Sequence, residues 1–204
     1  EAAAVTSGEI PSVRIPAPLP DGVSQATIGV RGGLLRSGFE ETAEAIYLTS
    51  GYVYSSAAQA EKAFTGEIDR FVYSRYGNPT VQTFEERLRL IEGAPAAFAT
   101  ASGMAAVFTG LGALLASGDR LVAARGLFGS CFVVCNEILP RWGVETVFVD
   151  GEDLDQWEQA LSRPTTVAFF ETPSNPMQSL VAIAAGSEMA HAAGAKVVLD
   201  NVFA

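Results

Sequence analysis

The sequence is poor in the residues that build metal sites and covalent frameworks: two cysteines, Cys131 and Cys135, and one histidine, His191, in 204 residues. The cysteines stand four apart in an apolar run that reads as helix. That spacing puts their Cα atoms near the upper limit for a disulfide and aims both thiols along one face, so free, buried thiols are expected. His191 falls in a separate helix-like segment, which leaves zinc without a ligand set; no metal site is expected. Basic charge is scarce as well. Lys and Arg number 13 against 23 Asp and Glu, a net charge of −10, with the acids dispersed along the chain. Nucleic acid and anionic membrane surfaces are therefore unsuitable partners. No apolar run approaches the ~18 residues of a membrane span, and residues 1–10 have neither the cationic nor the apolar part of a leader, which suits a cytoplasmic protein. No GxGxxG loop follows a strand-like run, which counts against a dinucleotide-type or simple phosphate-binding module.

What is present points to one sizeable core: 49% of the residues are hydrophobic and 18% charged. Prolines at 11, 16, 18 and 20 and the absence of period over residues 1–20 suit an extended arm. Short helices are expected over Glu40 to Tyr47 and Gln59 to Phe64. Asn78 followed by Pro79 is a cap and a first-turn proline, and Phe84, Leu88 and Ile91 recur at helical spacing up to Gly93, which predicts a helix. Beyond it, helix and strand alternate: helix from Ser102 to about Ala116, strand Arg120 to Ala124, helix over about 130–140, strand Val144 to Val149, helix over about 153–161, strand Thr166 to Glu171, helix over about 180–193 and strand Lys196 to Asp200. Short apolar strands separated by helices predict an α/β fold with a mostly parallel sheet flanked by helices. Residues 1–66 are thus expected to form the arm and short helices, and 67–204 the first part of a large α/β domain. Ligands of such sheets sit beyond the carboxyl ends of the strands. The loops around 100–104, 125–130, 171–176 and 200–203 should therefore face one crevice.

Four segments carry candidate chemistry. Thr100-Ala101-Ser102-Gly103-Met104 opens a helix, where free N–H groups and a hydroxyl suit a phosphate dianion; ordinary capping explains the same residues. Tyr73-Ser74-Arg75-Tyr76-Gly77-Asn78-Pro79-Thr80 packs phenols and a guanidinium before a proline-started helix, as a phosphate contact or an exposed turn would. Glu171-Thr172-Pro173-Ser174-Asn175-Pro176 follows a strand, and its prolines fix the loop so that Asn175 is presented; a structural turn is the alternative. Asp200 ends the apolar run Val197-Val198-Leu199, where a carboxylate is expensive unless it meets a cation or donors. A protonated pyridinium would be such a cation, and capping of the next element the plainer role.

Together, YSRYGNPT at 73–80, ASGMAA at 101–106, ETPSNP at 171–176 and VVLDN at 197–201, in this order, resemble the Cys/Met-metabolism family of pyridoxal 5'-phosphate (PLP) enzymes, the cystathionine gamma-synthase family of fold type I. The likeness spans about 45–204. The stretches 21–33 and 47–64 look most like the branch that sulfhydrylates O-succinylhomoserine. The resemblance implies that Ser102, Gly103 and Met104 hold the cofactor phosphate, that Tyr73 and Arg75 reach the phosphate of a neighbouring subunit, that Asp200 pairs with the pyridinium nitrogen and that Asn175 touches the ring hydroxyl. Phe128 falls where most relatives carry a tyrosine stacked on the ring; stacking survives the change, and the phenol's part in proton transfer does not. It further implies a homo-oligomer whose dimers share active sites, two such dimers making a tetramer, and γ-replacement on an O-acylhomoserine by sulfide giving homocysteine. Cystathionine synthesis and methionine gamma-lyase activity are the neighbouring alternatives.

The family's Schiff-base lysine lies downstream of this aspartate, in a Ser-x-Thr-Lys setting. Lys62 and Lys196 match neither place nor motif, so no catalytic residue is assigned within the chain. The C-terminal domain with its substrate-carboxylate arginine is expected to be absent, and the chain to be an inactive fragment by itself.

Overall fold

A computed structural model describes residues 19–39 and 41–204. The arm expected over residues 1–20 falls almost wholly outside them. The chain forms two compact units, Glu1–Ala99 and Thr100–Ala204.

The second unit is built on four parallel strands, β1 (Arg120–Ala124), β2 (Glu145–Val149), β3 (Val167–Glu171) and β4 (Lys196–Asp200), in the order β2-β1-β3-β4. Register is set by pairs such as Ala123↔Phe148, Ala123↔Phe169 and Glu171↔Asp200. Parallel strands need helical crossovers that cover both faces, so β1 and β3 are buried along their whole length rather than on alternate residues. Alternation reappears in where the side chains go. Leu121, Ala123, Val167 and Phe169 meet Leu111, Cys131, Val134 and Leu139 on one face. Val122, Ala124, Ala168 and Phe170 meet Trp157, Leu161 and Ala190 on the other.

The first face is covered by α4 (Gly103–Leu114), residues of α5 (Gly129–Val133), a π-helical turn (Val134–Ile138) and the short α6 (Leu139–Arg141). The expected single helix over 130–140 is thus interrupted by a wider turn, yet Cys131 and Cys135 still both point into the core, free and buried. The second face is covered by α7 (Leu154–Leu161) and α8 (Ile183–Ala192). At the amino ends of the strands Arg120 is buried, and its guanidinium is satisfied by Ala160 O (2.7 Å), Thr165 Oγ1 (2.7 Å) and Glu145 (3.3 Å). That end of the sheet is closed by its own hydrogen bonds.

In the first unit α1 (Gln25–Arg31) packs on α3 (Pro79–Glu92), and α2 (Ala57–Phe64) lies between them in sequence. Gly33 has φ +65°, and a Cβ there would stand 2.8 Å from Glu86 Cβ, so the close approach of α3 needs glycine. The helix expected over Glu40 to Tyr47 does not form over the described residues 41–47. Backbone there is claimed by other partners: Tyr47 N–H donates to Thr80 Oγ1 (2.9 Å) and Tyr47 O accepts from Asn78 Nδ2 (3.0 Å), which holds the segment extended against the α3 cap. Glu41 is also diverted, accepting from Ser37 N–H (2.9 Å) and Ser37 Oγ (2.6 Å).

Trp157 anchors the second core: fully buried, edge-on to Phe170 at 5.8 Å between ring centres, with Nε1 donating to Gly151 O at 3.2 Å. Trp157→Ala should destabilise the full-length protein by about 3–5 kcal/mol, and Trp157→Phe by clearly less. Denaturant unfolding of the three proteins side by side measures this, and equal midpoints for wild type and Trp157→Ala would remove Trp157 from that role.

Candidate cofactor site

The carboxyl ends of the strands are the open end of the sheet. α4 begins here with Ser102 as cap, its Oγ accepting from Ala105 N–H at 3.1 Å. The first turn of a helix has no internal acceptors for its N–H groups, so those of Gly103 and Met104 are available to an anion. Ser102 and Gly103 are exposed, and nothing lies within 4 Å of where a Cβ on Gly103 would be. Met104 packs on the core, and Cys131 Sγ reaches its Sδ at 3.7 Å, fixing the start of α4 to α5.

β1 runs out into Arg125-Gly126-Leu127-Phe128, and Phe128 is 42% exposed although Leu127 before it is buried. β3 runs out into the ETPSNP loop. Ser174 is buried there, bonded through Oγ to Ser179 Oγ (2.8 Å) and Ser179 N–H (3.1 Å), so the loop closes on itself. The bonds preceding Pro173 and Pro176 are both cis.

The feature that joins these loops is Glu171. Its side chain is 1% exposed; Oε2 accepts from Phe128 N–H at 2.6 Å and Oε1 from Asn175 N–H at 2.8 Å. Glu171 pairs in register with Asp200, so both carboxylates emerge on one side of the sheet. Asp200 is half-buried, and its side-chain bond is to Val202 N–H at 3.2 Å. Among the described residues no ion pair includes either acid. Burial first, then the negative charges of Asp200 and Glu171, push the Cys131 thiol up to about 11; burial and Cys131 push Cys135 up to about 12. Beside these residues a cleft of about 220 Å³ opens between the loops after β1, β2 and β3, lined by Arg125, Gly126, Asp150 and Ser179 among others.

Ser102, Gly103, Met104, Phe128, Asn175 and Asp200 thus all stand at one end of one sheet, as the sequence led us to expect. In the sequence Glu171 stands only as the first residue of its loop. The signal was there, since it ends the apolar run Val167–Phe170 as Asp200 ends its own.

Tyr73 and Arg75 belong to the first unit. Their turn is tightly built: Ser74 N–H donates to Ser50 O (2.9 Å), Ser74 Oγ bonds Thr49 O, and buried Asn78 donates to Ser74 Oγ (3.0 Å) while its Oδ1 caps α3 through Thr80 N–H (2.9 Å). The Arg75 guanidinium lies over both Tyr73 (5.0 Å) and Tyr76 (5.4 Å), which present it on an exposed aromatic platform. Of the two lysines, Lys62 is on α2, and Lys196 begins β4 while Asp200 ends it, about 13 Å away along the strand.

A phosphate-ready helix start, an exposed ring, and a carboxylate without a cation fit a flat, phosphorylated, cationic heteroaromatic. The Cys/Met metabolism PLP-dependent enzyme family matches residues 26–204. The chain belongs to this family. Its cofactor is pyridoxal 5'-phosphate. It is 83% identical over 193 residues to an O-succinylhomoserine sulfhydrylase of Mycobacterium tuberculosis, covering 95% of this chain and 48% of that protein. With the O-succinylhomoserine sulfhydrylase of Pseudomonas aeruginosa it shares 44% over 183 residues, 90% of this chain and 45% of that one. A solved structure from Campylobacter jejuni, described as an O-acetylhomoserine (thiol)-lyase and holding a pyridoxyl-lysine 5'-monophosphate, superposes with a TM-score of 0.79 at 28% identity, over 88% of this chain and 44% of that one. The fold is therefore that of the fold type I PLP enzymes, and the chain spans about half the length of the curated relatives it matches.

The thiols offer a direct check on the packing beneath the site. With both values raised, the thiols stay protonated in the folded protein at pH 8, so Cys131 and Cys135 should resist alkylation until the protein is denatured. Because folded values lie above the unfolded 9.0, native protein holds the proton longer, and stability should fall as pH rises from about 9 towards 11. Mass spectrometry after brief iodoacetamide treatment, native and denatured, tests the first point; rapid native labelling would contradict it.

Proposed function

We propose that the complete protein catalyses a PLP-dependent γ-replacement on O-succinyl-L-homoserine. The Cγ–O bond breaks to release succinate, a Cγ–S bond forms with sulfide, and L-homocysteine results, a step of methionine biosynthesis. The observation that carries the reading is the 83% identity to an O-succinylhomoserine sulfhydrylase across 95% of this chain. When bound, PLP supplies an electron sink for charge released on the amino acid.

Residues of the chain do the rest. The N–H groups of Gly103 and Met104, with the Ser102 hydroxyl, hold the phosphate at the positive end of α4. Asp200 keeps a proton on the ring nitrogen, and Asn175 orients the ring hydroxyl. Phe128 stacks on the ring and covers it from water. A phenylalanine cannot carry a proton, so proton transfer at substrate carbons falls to a group other than residue 128, and the Schiff-base lysine is supplied from outside these 204 residues. Tyr73 and Arg75 bind the phosphate of a neighbouring subunit, so the active form is a dimer sharing its sites, doubled to a tetramer. The segment before them supports such a partner, with Leu48 95% and Val53 81% exposed.

The full-length protein with PLP should convert O-succinyl-L-homoserine and sulfide to homocysteine and succinate, with kcat/KM at least about tenfold above that for cysteine as nucleophile or for methionine elimination, about 1.4 kcal/mol of discrimination. Predominant 2-oxobutyrate and methanethiol from methionine would assign it instead to the lyases. Asp200→Ala should lower kcat by roughly 10²–10³ while leaving the protein folded. Phe128→Ala should weaken PLP binding roughly two- to twelvefold, the loss of about 0.5–1.5 kcal/mol of stacking.

A further inference from the structure

Glu171 is a buried carboxylate with no cation among the described residues, held at the end of a strand where an apolar side chain would be far cheaper. Its acceptors are committed to two donors, the backbone N–H of Phe128 and that of Asn175, 43 and 4 residues away in sequence. Those two loops carry the residues assigned above to the face and the hydroxyl of the cofactor ring. We propose that Glu171 is a positioning residue for the PLP ring: one oxygen sets the backbone of Phe128, the other that of Asn175, and so a single rigid side chain fixes the stacking contact and the ring-hydroxyl contact relative to each other.

The inference rests on the site reading given under the proposed function. Three features favour positioning over plain structural support. A carboxylate accepting two charge-assisted bonds of 2.6 and 2.8 Å is a stiffer link than a neutral side chain would make. The loops it joins are otherwise tied locally, the ETPSNP loop through Ser174 and Ser179 and the Phe128 segment through Leu127 N–H to Arg125 O at 3.1 Å. Glu171 also stands beside Asp200 in register, so two like charges share one side of the sheet. Bound N–H groups occupy the oxygens of Glu171, which leaves Asp200 as the acid able to meet the cationic ring nitrogen.

The test uses the full-length protein, two cofactors, PLP and 3-deoxypyridoxal 5'-phosphate, which lacks the ring hydroxyl, and wild type, Asn175→Ala, Glu171→Gln and Glu171→Asp. Kd for each cofactor is measured, with the visible circular dichroism of the bound ring. Wild type should prefer PLP, and Asn175→Ala should lose that preference. Glu171→Gln, which offers an N–H₂ where one N–H needs an acceptor, should weaken PLP roughly tenfold, cut the preference for PLP over the deoxy cofactor at least about threefold, and diminish the dichroism. Glu171→Asp keeps the charge but shortens the reach by one methylene; it should move both readouts the same way by less, and it decides the matter if the Gln variant does not fold. An undiminished preference for PLP in the Glu171 variants, with both affinities reduced equally, would show a merely structural residue and overturn the inference. Wild type that fails to prefer PLP, or an Asn175→Ala protein that keeps the preference, would overturn the site reading itself, a separable result.

Discussion

Everything in the second unit follows from the pairing of four short parallel strands. Parallel pairing forces each connection to cross back over the sheet, and each crossover helix buries one face, so β1 and β3 have no solvent side and are apolar except at one tip each, Arg120 and Glu171. The same constraint puts all four carboxyl ends on one edge. Polar groups of those strands can appear only at their tips, and the two ends treat them differently. Arg120 at the amino end is surrounded by acceptors from its own unit, whereas Asp200 at the carboxyl end has no cation facing it among the described residues. A sheet that satisfies its charge at one end and leaves it open at the other has a built-in direction for binding.

Two acids in register at that open end would repel each other if both were free. The structure separates their circumstances. Glu171 is buried with each carboxylate oxygen accepting one backbone N–H, while Asp200 is half-buried with one weak local bond. On the proposed reading, ring, phosphate and pyridinium contacts are drawn from four loops that have little in common in sequence, and their relative placement depends on β3 and β4 being in register, because a slip of one residue would turn either acid to the opposite face.

The alternation of helix and strand was legible from hydrophobic pattern alone, because buried parallel strands are short continuous apolar runs between capped helices. Pro79 and Gly93 marked the ends of α3 by local backbone chemistry, a first-turn proline and a left-handed cap. Three features were hidden. The segment after Glu40 has helical composition, but its hydrogen bonds go to Asn78 and Thr80, over 30 residues on, and propensity cannot see that. α1, with its glycine and β-branched residues, is a weak helix former that stands on the Ser24 cap and its packing against α3. Glu171 was hidden differently: the sequence flagged Asp200 as a carboxylate closing an apolar run, and the same flag stood at Glu171, but its partners are backbone N–H groups, and only geometry reveals those.

That distinction bears on residue 128. Phe128 falls where the family resemblance implies a tyrosine stacked on the ring, and a side-chain anchor at that place would be disturbed by such a change. The bond that fixes the position runs instead from the residue 128 backbone to Glu171, so either aromatic ring is held at the same height above the sheet. On the proposed reading the backbone tether carries placement and the side chain carries only area and, where a phenol is present, a proton. Loss of the hydroxyl then leaves the geometry of the site untouched and moves the demand for proton transfer elsewhere, a division of labour that the carboxylate of Glu171 makes possible.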